Sequence, residues 1–364
     1  MSDAPMSAPM GIKLLKVRGQ DMSMAELLGG MAALDASDLF LKVGAQIRFK
    51  IGGKVVAFES DRVTKESMEW ILNCFLDEDD RIEFRQRHTA DVVFATDTAR
   101  YRVHFARGQT GPYAAIRLIA NQIRSFSSLG LPDPVVRNMG TLTQGLLIVA
   151  GSTDAGKTVT CTSLLDHIAR TRQVAMLTLE DPIEYILDDD KALVFQREVG
   201  VHAPTFAEGV RGAMRENLDV IFVGEVRDNE TIEQVLRAAE MGHLVITTLH
   251  CDDVLSALGR MVGSFPQEDQ PRIRHALAGT LVGVVFQKLL ASTEGGRTPC
   301  VEALWPNSAV RAILRSGDLG KLGTYTGAAS GGLAYRECLN MLKAANRIST
   351  EVFGEEDARL RTGV

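Results

Sequence analysis

The chain has 364 residues, 45% of them hydrophobic, and a formal net charge of −6 at pH 7. This composition allows two globular domains with ordinary cores, and the acidic balance gives no general attraction for nucleic acid or anionic membranes. No apolar run approaches the length of a transmembrane helix. Five scattered cysteines without a Cys-x-x-Cys pair argue against a structural zinc site and a disulfide framework, and they favour a reducing cytoplasm.

The beginning of the chain predicts no ordered structure. Residues 1–10 are rich in Ala, Pro and Ser, and they lack the basic segment and apolar core of a signal peptide. We expect residues 1–20 to form a disordered tail.

Residues 21–120 carry the pattern of a small α+β domain. The capping-box spacing of Ser23 and Glu26 predicts the start of a helix, and a second helix is predicted over residues 64–76. The pair Gly52-Gly53 between two strand patterns predicts a two-residue hairpin. Six strands, which would form an antiparallel sheet, are predicted over residues 38–43, 47–51, 55–58, 91–95, 101–106 and 113–119.

The pattern changes after residues 121–130, a polar segment without an apolar period that we interpret as a linker. Beyond it, continuous apolar runs alternate with helical patterns, as is typical of parallel strands buried on both faces of a sheet. We expect residues 131–364 to form a doubly wound α/β domain that is mostly helical beyond Pro266. The predicted strands cover residues 146–150, 174–179, 220–223 and 244–249, and the helices cover residues 206–215, 230–240 and 254–262.

The segment Gly151–Thr158 matches the pattern G-x-x-x-x-G-K-[ST] between a predicted strand and a predicted helix. In that context backbone N–H groups and the helix N-terminus hold phosphate, Lys157 reaches the outer phosphates, and the Thr158 hydroxyl can hold Mg²⁺. A chance match is the alternative, and the flanking strand and helix argue against it. The predicted nucleotide-binding residues are Gly151, Ser152, Thr153, Asp154, Ala155, Gly156, Lys157, Thr158 and Val159.

Polar residues that suit phosphate chemistry follow the predicted strands. Ligands bind outside the carboxyl ends of the strands in open α/β sheets, and a carboxylate there can deprotonate water or hold water on Mg²⁺. We interpret Glu225 as the general base, Glu180 as part of the Mg²⁺ and water shell, and His250 as a hydrogen-bond reporter of the terminal phosphate. The alternative for each is a solvated polar group at a strand end. Glu184 and His243 are weaker candidates.

Three arginines on predicted strands of the first domain are candidates for the cation that neutralises charge during phosphoryl transfer, which another subunit often supplies. They are Arg102, Arg107 and Arg117. An ordinary surface arginine is the alternative for each of them.

Taken together, the motifs resemble those of the secretion and pilus ATPases, over nearly the whole chain from Ala36 onward. Four segments resemble, in order, that family's Walker A, Asp box, Walker B and His box: Gly151–Thr158, Leu179–Glu184, Ile221–Asp228 and Gly242–His250. The chain is most similar to the type IV pilus retraction ATPases, and it lacks the four-cysteine zinc module of the assembly ATPases. The segments that resemble the retraction branch are Gln196–Glu198, Thr231–Ile232 and Ala309–Arg315.

The resemblance implies a PAS-like N-terminal domain, a RecA-like P-loop NTPase domain, and a homo-hexamer that binds ATP and Mg²⁺ between subunits. Arg102, Arg107 and Arg117 would contact nucleotide from the N-terminal domain. The family's activity is ATP hydrolysis that drives retraction of a type IV pilus in twitching motility, for which Ala309–Arg315 would be needed. The resemblance further implies a cytoplasmic protein, peripheral at the inner membrane, that acts on a platform protein there. We expect no direct nucleic-acid partner.

Two departures from the family pattern bear on the rate of hydrolysis. Asp154 and Ala155 stand where the family has Gly-Ser; Asp accepts left-handed backbone angles, but its carboxylate would weaken nucleotide binding. Asn217 replaces a family carboxylate. Both departures fit a slower motor or a weakly hydrolysing accessory partner of a paralogous pilus ATPase. A motor of a related conjugation or type II-like secretion system is a separate alternative.

Overall fold

A computed structural model describes residues 13–17, 20–34, 36–96, 99–119, 123–327 and 331–362. The chain separates into two compact units, residues 1–122 and 123–364. The disordered tail predicted for residues 1–20 lies mostly outside the described residues, although Lys13–Val17 forms a strand there. Within the described residues, no helix has the length and apolar character needed to cross a bilayer.

The first unit contains a two-stranded hairpin and a six-stranded antiparallel sheet. Its elements are β1 (Lys13–Val17), β2 (Gln20–Ser23), α1 (Met24–Ala33), β3 (Ala36–Lys42), β4 (Arg48–Ile51), β5 (Lys54–Ala57), α2 (Lys65–Phe75), α3 (Glu78–Arg87), β6 (Thr89–Ala95), β7 (Arg100–Gly108) and β8 (Gly111–Ile119). The strand order is β5-β4-β3-β8-β7-β6, and α1 and α2 bury their apolar side chains in the core of this sheet. The six predicted strands of the sheet are confirmed.

Local sequence explains the predicted boundaries. The Ser23 hydroxyl accepts a hydrogen bond from the Glu26 N–H at 3.2 Å, and the Glu26 carboxylate accepts from the Ser23 N–H at 2.8 Å. This is the capping box that the spacing predicts. Gly52 and Gly53 have φ of 55° and 80°, the two positive values that a tight two-residue hairpin requires.

Helix α3 is an element that the sequence analysis did not predict. Its sequence is polar on nearly every side, so no apolar stripe marks it. It begins at a capping box formed by Asp77 and Asp80, and Phe84 is its buried residue.

The second unit is built on a seven-stranded sheet. Its elements are α4 (Asp133–Thr141), β9 (Gly145–Ala150), α5 (Lys157–Thr171), β10 (Ala175–Glu180), β11 (Leu193–Glu198), α6 (Phe206–Ala213), β12 (Val220–Val223), α7 (Asn229–Glu240), β13 (Leu244–Leu249), α8 (Val254–Gly263), α9 (Gln270–Thr280), β14 (Leu281–Ala291), β15 (Arg297–Leu304), α10 (Ser308–Ser316), α11 (Tyr335–Ala344) and α12 (Thr350–Thr362). The strand order is β11-β10-β12-β13-β9-β14-β15, with every pair parallel except β14 and β15.

The central strands are fully buried, as their continuous apolar runs predict. The region beyond Pro266 contains more helix than strand, as expected, but it also contains β14 and β15, which were not predicted and which complete the sheet beside β9. An apolar run such as that of β14 fits a buried strand and a buried helix equally well, so its pattern alone does not separate them.

The segment predicted as a linker, residues 121–130, is described from residue 123 onward. Phe126 lies in a short 3₁₀ helix and is buried in the core of the second unit. Residues 123–130 therefore belong to the second unit by their packing.

Candidate nucleotide-binding site

The carboxyl ends of the four predicted strands lie at one edge of the sheet. Val223 at the end of β12 pairs with Leu179 of β10 on one side and with Thr247 of β13 on the other. Leu249 at the end of β13 pairs with Ala150 of β9. Because the strands are parallel and in register, the segments that follow them leave the sheet at the same edge.

The phosphate loop connects β9 to α5. Gly156 precedes the helix with φ of 82°, and Asp154 takes a φ of 60°. Both values lie in the left-handed region, which Gly and Asp accept more readily than most residues. The loop therefore forms with Asp at position 154, and this residue is exposed.

Lys157, the first residue of α5, is buried beneath the loop. Its Nζ donates hydrogen bonds to the backbone oxygens of Gly151 and Ser152, both at 2.8 Å. Burial lowers the pKa of the ammonium, and the negative charges of Glu225 and Asp154 act in the opposite direction. Thr158 and Val159 continue the first turn and are half-buried.

Glu225 and His250 come together beside Lys157. The Glu225 carboxylate is ion-paired with Arg227, and its other oxygen lies 3.9 Å from Nε2 of His250. Burial lowers the pKa of His250, and the positive charge of Lys157 lowers it further. The carboxylate of Glu225 opposes this shift. A lowered pKa favours the neutral imidazole, which offers one N–H donor to a phosphate oxygen.

Threonines of β13 fix the backbone that carries Glu225. The Thr247 hydroxyl donates to the Val223 oxygen at 2.8 Å, and the Thr248 hydroxyl donates to the Gly224 oxygen. The Gly224 N–H in turn donates to the Leu179 oxygen at 2.8 Å. These bonds hold the segment after β12 against both neighbouring strands.

Asp228, the last residue of the segment Ile221–Asp228 that contains Glu225, has a structural role. Its carboxylate accepts hydrogen bonds from the N–H and the hydroxyl of Thr231, both at 2.8 Å. It is the N-cap of α7 and satisfies an amide that the helix leaves unpaired.

Glu180 ends β10 and is almost fully buried, with 6% of its surface exposed. One carboxylate oxygen accepts from the Thr178 hydroxyl at 2.6 Å and from the Gln196 amide at 3.2 Å. Burial raises the pKa of Glu180 to about 7 despite these bonds. Glu180 lies beside the segment that carries Glu225, since a Cβ added to Gly224 would lie 3.5 Å from the Glu180 Cα.

The described residues contain no group of three or more His, Cys, Asp and Glu side chains arranged to hold a metal ion. A Mg²⁺ ion bound through Thr158 and Glu180 would need phosphate oxygens and waters as further ligands, which is the usual coordination of Mg²⁺ at nucleotide sites. The roles of Thr158 and Glu180 toward a metal remain predictions.

Two residues singled out from the sequence lie at the opposite edge of the sheet. His243 directly precedes β13, and its Nδ1 lies 2.9 Å from the Ala238 oxygen. Asn217 precedes β12 with φ of 53° and is exposed. The interpretation of His243 as a site residue is therefore wrong, and the position of Asn217 within this chain gives no support to the expectation that its missing carboxylate slows hydrolysis.

The three candidate arginines all belong to the first unit. Arg117 donates through Nε to the Asp38 carboxylate at 2.9 Å, and Arg102 lies 3.7 Å from the Asp91 carboxylate. The guanidinium carbon of Arg107 lies 5.7 Å from the centre of the Phe84 ring. Their predicted contact with nucleotide remains a prediction.

A residue that the sequence analysis missed lies directly under the loop. Gln287 of β14 is 2% exposed, and its amide bonds to Ala155 and Thr160. No local motif marks it, because its partners are more than 120 positions away in the chain.

Three comparisons relate the chain to known proteins. The family described as "Type II/IV secretion system protein" matches residues 23–323. The chain is 35% identical over 297 residues to the uncharacterized protein YggR of Escherichia coli, which covers 81% of this chain and 90% of that protein. It is 32% identical over 333 residues to the type IV pilus retraction ATPase PilT of Pseudomonas aeruginosa, which covers 91% of this chain and 96% of that protein.

A crystal structure of the pilus retraction motor PilT with bound ADP is similar to this chain with a TM-score of 0.85. The two are 34% identical, and the match covers 92% of this chain and 97% of the other. The predicted fold class, an α+β N-terminal domain followed by a RecA-like P-loop domain, is confirmed by this match.

Proposed function

Since this chain belongs to the Type II/IV secretion system protein family, we propose that it is an ATPase that powers retraction of a type IV pilus. The observation that carries the proposal is the convergence of the phosphate loop, Glu225 and His250 at one sheet edge. The similarity to a pilus retraction ATPase over 91% of the chain supports the same function.

Each group of site residues has a separate role in hydrolysis. Residues 151–159 hold the phosphates through backbone N–H groups, and Lys157 neutralises the outer phosphates. Glu225 accepts a proton from the attacking water, and His250 donates a hydrogen bond to the terminal phosphate. Thr158 and Glu180 would hold Mg²⁺, and the ion would supply positive charge that neutralises the phosphates.

The assembled motor is a homo-hexamer with ATP at the boundaries between subunits. Residues 21–120 form its N-terminal domain, and residues 131–364 form its ATPase domain together with residues 123–130, which pack with the second unit. Arg102, Arg107 and Arg117 supply positive charge to the nucleotide of a neighbouring subunit. The ring acts in the cytoplasm on an inner-membrane platform protein, beside a paralogous ATPase.

Helix α10 contains the segment Ala309–Arg315 that the resemblance links to retraction. The Arg311 guanidinium donates to the backbone oxygens of Gly279 and Leu281 at 3.1 and 3.0 Å, so it caps the end of α9. Arg315 is exposed on the same helix. Of these two arginines, Arg315 is therefore the one placed to act outside the chain.

The proposal is tested by measuring ATP turnover together with the mass of the oligomer. We expect six-chain rings of the 39.6 kDa subunit that hydrolyse ATP, and loss of pilus retraction in cells without the protein. Nucleotide binding with negligible turnover would favour the accessory partner of a paralogous motor, and the absence of both would refute the proposal.

The accessory alternative has one specific observation in its favour, the exposed carboxylate of Asp154 in the phosphate loop. We expect Asp154→Gly to tighten ATP binding about three- to tenfold at low salt, because a negative charge beside the triphosphate is removed. The effect should shrink as salt screens the charge, which a nucleotide titration at two salt concentrations measures.

Asp154→Asn is the matched control for this prediction. Asn also accepts the left-handed backbone that position 154 requires, and it removes the charge alone. An equal gain in both variants assigns the effect to charge. A gain in the Gly variant alone would contradict the electrostatic explanation.

A further inference from the structure

A buried amide lies between the phosphate loop and the neighbouring strand. The Nε2 of Gln287 donates to the Ala155 oxygen at 2.7 Å, and its Oε1 accepts from the Thr160 hydroxyl at 2.7 Å. Because a carbonyl oxygen only accepts, the orientation of the amide is fixed by Ala155. One side chain thus ties the loop to the first turn of α5.

The loop backbone packs directly against Gln287. A Cβ added to Gly151 would overlap the Gln287 backbone oxygen, and one added to Gly156 would lie 2.9 Å from the Gln287 Nε2. The first and last glycines of the motif therefore allow the loop to approach Gln287, Gly151 at its backbone and Gly156 at its side-chain amide. Gln287 shapes the loop as well as bonding to it.

The strand that carries Gln287 is anchored on its other face. The next residue, Lys288, forms an ion pair with Glu356 of α12 at 2.5 Å. The Tyr335 hydroxyl donates to the same carboxylate at 3.0 Å. The amide is thus held by a fixed strand, and it can in turn hold the loop.

The contact between Gln287 and the Ala155 oxygen also fixes the direction of the next N–H group, that of Gly156. In a trans peptide the carbonyl and the following N–H point in opposite directions. Since Gln287 draws the Ala155 oxygen toward the sheet, the N–H of Gly156 is directed away from the sheet, to the side where the loop receives phosphate. Its orientation is set before any ligand arrives.

We propose that Gln287 is a positioning residue of the nucleotide site, which aims the N–H groups at the end of the phosphate loop. The inference rests on the proposed function, since it requires phosphate to bind at this loop. It extends that function to a residue outside the motif that contacts no nucleotide itself.

The first test is Gln287→Met, which keeps the volume of the side chain and removes both hydrogen bonds. We expect the dissociation constant for ADP to rise about tenfold while the chain stays folded, because ADP must then order a loop that has lost the net contribution of about one hydrogen bond. Isothermal titration with ADP and a thermal melt of the ligand-free chain measure the two quantities. A lower melting temperature with an unchanged ADP affinity would overturn the proposal.

Thr298→Val is the matched control. Thr298 is buried on the adjacent strand β15, and its hydroxyl has no hydrogen-bond partner among the described residues. The substitution makes an equally conservative change at this part of the sheet, so ADP affinity should not change. An equal loss of affinity in this variant would mean that general packing, and not the amide, is responsible, and it would overturn the proposal.

Gln287→Glu keeps the test decisive even if the Met variant does not fold. An ionised carboxylate cannot donate to the Ala155 oxygen, whereas a protonated carboxyl can. We therefore expect the affinity of this variant for ADP, divided by that of the wild type at the same pH, to rise as the pH falls from about 8 to about 6. A ratio that is independent of pH would contradict the positioning role.

These results distinguish failure of the positioning role of Gln287 from failure of the proposed function. If wild-type protein binds ADP and Lys157→Ala does not, but Gln287→Met binds as the wild type does, the positioning role alone is refuted. If the wild-type chain binds no ADP, the proposed function itself is refuted.

Discussion

Lys157→Ala is expected to raise the dissociation constant for ATP at least about 100-fold. The ammonium is the cation that the loop directs at the outer phosphates, and charge-assisted bonds in a buried site contribute more than neutral ones. Burial lowers the pKa of Lys157, and the negative charges of Glu225 and Asp154 oppose this shift. Titration with a fluorescent ATP analogue measures the loss.

Lys191→Ala is the control for this variant. Lys191 is exposed and lies between β10 and β11 of the same unit, so removal of its charge tests for a general electrostatic effect. We expect its affinity to stay within a factor of about two, since long-range surface charges are screened. If Lys157→Ala also bound ATP almost as the wild type does, the phosphate loop would not be the nucleotide site.

Glu225→Gln should bind ATP nearly as tightly as the wild type and lose turnover by about 10²- to 10⁴-fold. The amide keeps the shape of the side chain but cannot take the proton from the attacking water. Loss of the Glu225–Arg227 ion pair should cost little stability, because the arginine is largely exposed. ATP binding and single-turnover hydrolysis, measured on the same preparation, separate the two effects.

Glu240→Gln is the control, because Glu240 is an exposed carboxylate at the end of α7, at the edge of the sheet opposite the phosphate loop. It should retain most of the turnover. Normal hydrolysis by Glu225→Gln would place the general base elsewhere and would remove Glu225 from the site.

Much of the second unit could be predicted because its signals are local. The runs that form β9, β12 and β13 are apolar throughout, and a strand buried on both faces needs that composition. The same strands place Glu225 and His250 at the loop, since a residue that follows a parallel strand lies at its carboxyl end. His243 and Asn217 precede their strands, so the same rule places both residues at the opposite edge of the sheet, away from the loop.

Other features depend on tertiary context that no window of sequence contains. In edge strand β11, Leu193 and Phe195 are apolar although they are exposed. Apolar and polar residues therefore do not alternate along it as they do in a typical half-buried strand. Strand β14 is an apolar run that is equally compatible with a helix. Gln287 lies on that strand, so its contact with the loop could not be predicted before the strand was placed in the sheet.

The position of β9 between β13 and β14 has a consequence for the order of folding. The hydrogen bond between Gln287 and Ala155 closes a loop of 132 residues, so it forms late relative to contacts within a hairpin or a helix. During synthesis, β9 has no neighbouring strand on one side until β14 has left the ribosome. We therefore expect a nascent chain to bind nucleotide more weakly until β14 has joined the sheet beside β9, because the phosphate loop lacks its contact with Gln287 until then.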